Sequence, residues 1–293
     1  MEHFLSVFLR VFTFVGCWAI SDSNNCYLRI NFIGKIILTD FDDMKLTYIF
    51  HSGFALETER CMLVFDYWMD PSGVMPQLLK TSKPMYVFSS HFHEDHFNRQ
   101  IFAWRQTKPD IVYILSKDIL KHRRAQKEEA DAWLAKGATW SDGLVRVAAT
   151  GSTDSGVSWI VETDGKRIFH AGDLNNWYAR FLTDDYHGGL VYSAETGTDV
   201  NPEKEEKRFL EELKDIRKIT DSFSVAMFPV DGRIGNGYTR GARQFIDMFR
   251  VGLLVPMHFV ASGFESAWRM KEFADAKNIP FWCIGLEGES IEF

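Results

Sequence analysis

The sequence predicts an α/β fold built from two β-sheets with helices packed on their outer faces. Residues 45–65 contain three short β-rich runs separated by turn signals, which is typical of an antiparallel meander. Strand-like and helix-like segments then alternate, twice over, along the rest of the chain. Because strands come first and the alternation follows, two sheets with outer helices fit better than one doubly wound parallel sheet.

The predicted strands follow from β-branched and aromatic runs bounded by turn residues. Asp164-Gly165 between two of these runs is a strong hairpin signal. The predicted strands are residues 46–50, 54–57, 62–65, 85–89, 111–115, 144–149, 157–162, 166–170, 224–228, 253–256 and 281–284.

The predicted helices follow from capping residues and charge spacing. Gly137 is a plausible C-terminal cap for a charged amphipathic helix, and Asn201-Pro202 is typical of a helix start. Glu and Lys at i,i+4 spacing support the helix that follows Pro202. The predicted helices are residues 98–106, 117–136, 202–219, 239–250 and 265–277.

Composition restricts the class of protein. The chain has 293 residues, of which 46% are hydrophobic and 15% aromatic, so it can bury a large core. A net charge of -7 argues against a nucleic-acid partner bound by a broad basic surface. Four widely spaced cysteines favour a reducing, cytoplasmic location over a disulfide scaffold. No apolar run reaches the ~18 residues of a membrane span, so no membrane partner is expected.

Residues 1–43 differ from the rest of the chain. Residues 4–20 are apolar and rich in Phe, but Arg10 interrupts them and no Lys or Arg precedes it, unlike a secretory signal. Met44 and the residues after it make a natural start for a first strand. We therefore expect residues 1–43 to be an N-terminal extension outside the core fold and residues 44–293 to form the folded domain.

Four candidate metal ligands occur within six residues directly after the predicted strand 85–89. In extended backbone, alternate side chains point to the same side, so the first two histidines can bind one ion. As the chain turns, the last two ligands can reach a second ion beside it. Imidazole and carboxylate together suit zinc, manganese or iron. We predict one or two divalent ions, zinc above all, bound by His91, His93, Asp95 and His96.

This His-x-His-x-Asp-His pattern resembles the signature of the metallo-β-lactamase superfamily, and the resemblance covers residues 45–293. It implies an αββα sandwich with the metal site at one edge of the two sheets, and a metallo-hydrolase domain over residues 44–293. It also implies two further ligands, Asp173 in a Gly-Asp turn and His258 after a late strand. Asp66 matches an early Asp of the family that hydrogen-bonds a ligand imidazole, rather than binding the ion.

One residue of the family pattern is missing from this sequence. Where the family supplies a further His before Asp173, residues 150–158 contain none. Ser152 or Asp154 could replace that ligand, and so could water. The change favours a specialised branch over an antibiotic-degrading lactamase. The turn that begins at His51 resembles the lactonase-type and phosphodiesterase-like branch, and His51 itself is expected to support the site or to be a structural turn residue.

Catalytic and substrate-binding roles are assigned to few residues. We expect Asp95 to orient the water that the metal activates, or to take its proton. The loop 229–238 follows a strand at the same edge as His258, and its Asp231, Arg233 and Tyr238 are the predicted substrate contacts. Arg233 could clamp a carboxylate or phosphate, with an exposed loop ion pair as the equal alternative.

The predicted function is hydrolysis of a small ester, lactone or phosphoester, with an anionic small molecule as the expected substrate. The alternative is an iron-dependent, non-hydrolytic protein of the same fold that handles oxygen or thiols. His93 favours the hydrolase, because the redox di-iron relatives usually carry Glu at that position. An RNA nuclease would need a clamp domain or a basic groove, and the sequence shows neither.

Overall fold

The computed structural model describes residues 44–194 and 196–293, and the short pairs 29–30 and 36–37. The chain divides into two units, Met1–Asp42 and Asp43–Phe293. In the first unit, strands β1 (Arg29–Ile30) and β2 (Ile36–Ile37) pair antiparallel. The rest of the predicted extension lies outside the described residues, so its role stays a prediction.

The second unit contains a seven-stranded sheet. Four strands at one side pair antiparallel, and the remaining pairs, from β5 to β8, are parallel. In spatial order the strands are β17 (Ser290–Glu292), β3 (Lys45–Phe50), β4 (Gly53–Glu57), β5 (Met62–Phe65), β6 (Met85–Ser89), β7 (Ile111–Ser116) and β8 (Ala132–Leu134).

A six-stranded sheet faces the first. Its three strands at one side are parallel, and its other pairs are antiparallel. In spatial order the strands are β16 (Arg250–Met257), β15 (Ser222–Pro229), β12 (Lys166–His170), β11 (Ser158–Thr163), β10 (Arg146–Thr150) and β9 (Thr139–Ser141). A separate hairpin is formed by β13 (Val191–Ser193) and β14 (Thr198–Val200).

Helices are few and mostly short. The α-helices are α1 (Met75–Leu78), α2 (Lys117–Lys121), α3 (Pro202–Ile219), α4 (Arg240–Met248), α5 (Phe264–Trp268) and α6 (Met270–Asp275). Turns of 3-10 helix span Arg99–Gln106, Lys127–Glu129, Ala179–Phe181 and Gly232–Ile234. Within the described part of the chain, no helix combines the length and apolar character needed to cross a bilayer.

Alternation along the strands builds two apolar layers on the first sheet. Leu63 and Phe65 of β5 join the core between the sheets, whereas Met62 and Val64 pack in a second cluster that includes residues of α1, α2 and the 3-10 turn Arg99–Gln106. Helices α3, α4 and α6 contribute buried residues to the cluster that contains the second sheet. The predicted sandwich of two mixed sheets with helices outside is therefore confirmed.

The topology brings distant residues to one edge. Parallel strands end at the same side of a sheet, so β5 and β6 deliver Asp66 and the loop after Ser89 together. In the second sheet, β12, β15 and β16 end side by side, with His170 paired to Met227 and Pro229 paired to Met257. The chain segments that carry the predicted ligands thus leave the strands at a common edge.

Several predicted elements are wrong. The helix predicted over residues 117–136 ends at Lys121, because Arg123 takes a left-handed conformation with φ +57°. Only Ile119, Ala125, Ala132 and Leu134 of this stretch are buried, a spacing too sparse for one helical face, and the last two belong to β8.

The C-terminal region also differs from the prediction. The helix predicted over residues 265–277 is two helices, α5 and α6, that meet at Arg269. Residues 281–284 form an isolated bridge between Phe281 and Leu254 and not a strand. The sequence analysis missed β8, β9, the hairpin of β13 and β14, and β17, all of which are three residues long and have little local signal.

Candidate metal centre

Eight side chains form two adjoining clusters at the shared edge. In each cluster the four ligand atoms lie within 4.8 Å of one another. The first ligand group consists of His91, His93, Asp154 and Asp173. The second ligand group consists of His51, Asp95, His96 and His258.

The loop 91–96 contributes to both groups. It is a bend followed by a turn, and not the extended strand and helix start that the sequence predicts, because the backbone N–H groups of His96 and Phe97 both donate to the His93 carbonyl. The rings of His91 and His93 are still neighbours, with centroids 4.8 Å apart and planes nearly perpendicular. The turn then places His96 beside His91, at a centroid distance of 4.1 Å.

Asp173 belongs to the first ligand group and also contacts two histidines of the second. Its Oδ2 is 3.3 Å from His91 Nε2, and its Oδ1 is 3.1 Å from His96 Nε2 and 3.3 Å from His258 Nε2. The carboxylate therefore faces imidazoles from both groups, as a bridging ligand does.

His51 enters the centre from the turn between β3 and β4. Its Nε2 lies 3.3 Å from Asp95 Oδ2, and its ring centroid is 4.2 Å from that of His258. The residue has φ +55°, and Asp66 and His258 are also left-handed, with φ +41° and +66°. Such conformations cost free energy for residues with a Cβ and concentrate at functional sites.

Asp66 and Ser90 orient two of the imidazoles. Asp66 Oδ2 lies 2.7 Å from His96 Nδ1 and accepts the Ser90 hydroxyl at 2.6 Å, while Asp66 Oδ1 accepts the Ser90 N–H at 2.7 Å. Ser90 Oγ in turn lies 3.0 Å from His91 Nδ1. Both rings therefore have Nδ1 engaged and Nε2 directed at Asp173. Ser90 is a residue that sequence reasoning missed, although it directly precedes His91.

Asp231 orients the His258 imidazole as Asp66 orients that of His96. Its Oδ2 lies 2.9 Å from His258 Nδ1, and both oxygens accept N–H groups of the Arg233 guanidinium. Arg233 Nη2 is 3.2 Å from His258 Nδ1, and half of the Arg233 side chain is exposed. The structure thus brings Asp231 and Arg233 to the metal centre. Tyr238 instead donates its hydroxyl to the Ser266 carbonyl at 2.6 Å.

Asp154 lies in the segment 150–158, where this sequence lacks the His of the family pattern. Asp154 Oδ2 lies 3.7 Å from His93 Nδ1. The Ser152 Oγ accepts the Asp154 N–H at 3.3 Å. Gly156, with φ +66°, lets this loop approach the ligand loop, because a Cβ there would collide with the Ser90 carbonyl oxygen and with His91.

Thr153 anchors the loop that carries Asp154 to the segment after Asp173. The Thr153 hydroxyl donates to the Asn175 carbonyl at 2.6 Å, and the Asn175 N–H donates back to that hydroxyl at 3.0 Å. Two loops that are about twenty residues apart in sequence are therefore held together beside the first ligand group. Sequence patterns carry no signal for this contact.

Mutual charge keeps the acidic ligands ionised. Burial would raise the pKa of Asp173, but the imidazoles of His96, His258 and His91 hold it well below its usual range. Burial likewise opposes the shift of His96, whose pKa is raised well above 6.5 by Asp173 and Asp66. Burial lowers the pKa of His51 to about 4, despite the opposing effect of Asp95.

Two tryptophans flank the histidines. The Trp68 ring lies edge-on to His51 at a centroid distance of 5.7 Å, and the Trp177 ring lies 5.3 Å from that of His258. Trp177 Nε1 also donates to the Asp173 carbonyl at 2.9 Å. On the other side, His93, Asp95 and Asp154 have side chains 42%, 33% and 47% exposed, so the centre opens to solvent there.

The donor atoms fit divalent metal ions. Within the described residues, His51 Nε2, His91 Nε2, His96 Nε2 and Asp173 Oδ1 are buried without a hydrogen-bond partner. Two ligands each ~2 Å from an ion at a tetrahedral angle lie roughly 3.3 Å apart. The contacts of 3.1–3.3 Å around Asp173 have this spacing without hydrogen-bond geometry. The clusters can therefore bind metal ions.

Known proteins are similar to this chain in sequence and in fold. A UPF0173 metal-dependent hydrolase from Opitutus terrae is 30% identical over 235 residues, which cover 74% of this chain and 85% of that protein. Igni18, a metallo hydrolase from Ignicoccus hospitalis, superimposes with a TM-score of 0.59 at 19% identity, over 86% of this chain and 98% of that one.

A second solved structure identifies the fold. The metallo-β-lactamase fold protein YhfI from Bacillus subtilis has a TM-score of 0.55 and 14% identity, over 86% of this chain and 100% of that chain. No family model matches the chain. The predicted metallo-β-lactamase fold is therefore confirmed.

Proposed function

This chain belongs to the UPF0173 metal-dependent hydrolase family, and from that premise we propose that it hydrolyses a small ester, lactone or phosphoester with the help of two divalent ions. The observation that carries the proposal is the convergence of buried, unpartnered imidazole and carboxylate atoms on Asp173. Such atoms are costly to bury unless a cation completes their coordination.

The first ligand group holds one ion and the second ligand group holds the other, with Asp173 facing both. This assignment makes His51 a ligand, where the sequence favoured a supporting or structural role. The contact of 3.3 Å with Asp95 and the absence of a hydrogen-bond partner on His51 Nε2, among the described residues, support that role. Asp154 takes the position of the missing imidazole.

The two groups differ in chemistry. The second group offers three imidazoles and one carboxylate, which suits zinc. The first group offers two imidazoles and two carboxylates, and the additional oxygen ligand makes manganese or iron more competitive there. We therefore propose zinc in the second group and a less selective position in the first.

When bound, such ions activate water as a nucleophile and polarise the oxygen of the bond under attack. Asp95 belongs to the second group but is one-third exposed, so its carboxylate reaches the solvent side. The imidazoles of His51 and His96 outweigh burial and hold the pKa of Asp95 below its usual range, so the group stays ionised. As an ionised carboxylate on the solvent side, it can orient the attacking water by accepting a hydrogen bond from it.

Arg233 is the proposed contact for an anionic group of the substrate. The Asp231 carboxylate fixes its guanidinium through three contacts of 2.6–3.0 Å, which leaves the rest of the fork half exposed beside His258. Hydrogen bonding to Asp231 raises the pKa of the Arg233 guanidinium, and the negative charges of Asp95 and Asp173 also raise it. A fixed guanidinium binds carboxylate or phosphate in a defined orientation.

A small, anionic molecule is the proposed substrate, and neither nucleic acid nor a membrane is a proposed partner. Cys61 and Cys283 are both free thiols, which supports a reducing, cytoplasmic location.

The test combines metal content with activity. Protein purified without added metal should contain two divalent ions, and it should hydrolyse at least one member of a panel of carboxylic esters, lactones and phosphodiesters. Chelation should abolish the activity and the same ion should restore it. Asp95→Asn should lose activity by at least a hundredfold, whereas Asp275→Asn, at an exposed ion pair with Lys271, should not. Bound iron with oxygen uptake and no hydrolysis would support the non-hydrolytic alternative instead.

A further inference from the structure

We propose that His170 is a positioning residue that holds the strained turn of His51, and that it thereby builds the second ligand group. The inference rests on the proposed function in one respect, since it takes His51 as a metal ligand. His170 makes no hydrogen bond of its own to either ligand group. It also has no part in the metal chemistry proposed above.

The turn between β3 and β4 needs support. His51 has φ +55°, a left-handed conformation that residues with a Cβ rarely adopt. Such a conformation persists only where the surroundings stabilise it. If the turn relaxed, the His51 ring would move away from Asp95 and His258, because the backbone sets the direction in which the side chain leaves.

Three hydrogen bonds hold the turn. The His51 N–H donates to the Tyr48 hydroxyl at 2.8 Å, and the His258 N–H donates to the His51 carbonyl at 3.2 Å. The third joins His170 Nε2 to the Ser52 carbonyl oxygen at 2.8 Å. Of the three, this is the one made by a side chain of the opposite sheet.

The chemistry of these partners fixes the form of the His170 ring. A carbonyl only accepts, so His170 Nε2 must carry the proton. The Gly172 N–H donates to His170 Nδ1 at 3.2 Å, so Nδ1 is unprotonated; Asp66 Oδ2 is farther from it, at 3.8 Å. Both ring nitrogens are therefore engaged in backbone contacts, and the ring acts as a brace and not as a ligand.

Packing makes the brace rigid. His170 is fully buried, and its ring stacks on Phe65 with a centroid distance of 5.1 Å and an interplanar angle of 5°. It ends β12, three residues before Asp173, so one segment of the second sheet places both Asp173 and the turn of His51. Without its donor, the buried Ser52 carbonyl would lose its partner, and the turn could relax.

The test separates the hydrogen bond from the packing. His170→Phe keeps a flat ring against Phe65 but has no donor, whereas the amide of His170→Gln can reach the Ser52 carbonyl. Phe169→Leu is the matched control, since it weakens the core at the adjacent residue of the same strand without touching the turn. Bound Zn²⁺ is counted by mass spectrometry after dialysis, and Co²⁺ absorption reports the coordination of each position.

We expect two ions in the parent, in Phe169→Leu and in His170→Gln, and one ion in His170→Phe, with the Co²⁺ bands of the second ligand group lost. Two ions in His170→Phe with unchanged bands would overturn the proposal, as would equal loss in Phe169→Leu. If His170→Phe does not fold, His170→Asn replaces it, because the Asn amide is too short to reach the Ser52 carbonyl. His170→Asn should then lose the ion that His170→Gln keeps. Equal metal content in His170→Asn and His170→Gln would also overturn the proposal. A parent that binds no ion in the second ligand group would refute the proposed function itself, before any variant is compared.

Discussion

Asp231 and His258 are joined by a buried contact of 2.9 Å between Oδ2 and Nδ1. Because Nδ1 is engaged, His258 can present only Nε2 to an ion, and hydrogen bonds from His258 and Arg233 keep the pKa of Asp231 at about 2 against the effect of burial. The contact therefore fixes the ring orientation and raises the basicity of the ligand nitrogen.

Asp231→Asn should weaken metal binding in the second ligand group by 10–100-fold, the range typical of outer partners of metal ligands. A competitive chelator titration measures the affinity. Asp247→Asn, which breaks an exposed ion pair with Lys277, is the control and should leave the affinity unchanged. Equal affinities in both variants would show that the carboxylate does not tune His258.

Asp154 should decide the metal preference of the first ligand group. In the proposed assignment its carboxylate replaces the imidazole of the family pattern, so Asp154→His should raise the preference for zinc over manganese. Asp154→Ala should weaken the first ligand group, so that dialysis removes its ion. Competition between Zn²⁺ and Mn²⁺ provides the measurement. Ser152→Ala tests the other candidate for the missing ligand, whose Oγ accepts the Asp154 N–H, and it should leave the metal preference unchanged. Two equally tight ions in Asp154→Ala would contradict the assignment.

Arg233→Ala should raise KM for an anionic substrate by at least tenfold and leave the metal content unchanged, because the charge lost binds the substrate and not the ion. Kinetics with an anionic substrate and a neutral analogue of the same reaction type make the comparison. Arg250→Ala, which breaks an exposed ion pair with Asp221, is the control. The same KM change for both substrates would remove the proposed role in charge recognition.

His51 should make the metal-free protein less stable in acid. Its titration should lower the free energy of unfolding as the pH falls from about 6.5 to about 4. The pKa of His51 in the folded state is about 4, against an ordinary value of 6.5. In this pH range the unfolded chain binds a proton that the folded chain does not, so acid favours unfolding. At pH 4 this difference in proton binding lowers the free energy of unfolding by about 3 kcal/mol relative to neutral pH.

Denaturant unfolding of metal-free protein between pH 4 and pH 7 measures this contribution. His51→Gln removes it, so the variant should lose less stability than the parent over that range. His96, whose pKa is raised, and the acidic residues are common to both proteins, so the difference between the two curves reports His51 together with its effect on neighbours such as Asp95. Parallel curves for parent and variant would contradict the prediction.

Local patterns were sufficient for the parts of the fold whose signals are local. The strands of the meander and the strand before residue 90 match the structure within one residue of their predicted bounds, because alternation and turn residues mark them. Helix α3 begins at Pro202, as predicted, since its cap is a local feature. The charged stretch 117–136 does not form the predicted long helix, because charge spacing without a continuous apolar face does not determine one.

The sequence by itself determined the ligand loop 91–96, whose histidines and aspartate are close because they are neighbours in the chain. Its resemblance to a family added Asp173 and His258 as candidates. Only the tertiary structure decided that His51 and Asp154 join them, since these residues are separated from the loop by about forty and sixty residues. Their approach depends on the left-handed turn of His51, on the His170 brace and on the close packing at Gly156. These contacts form only when the two sheets pack together, and no periodicity or spacing in the chain encodes them.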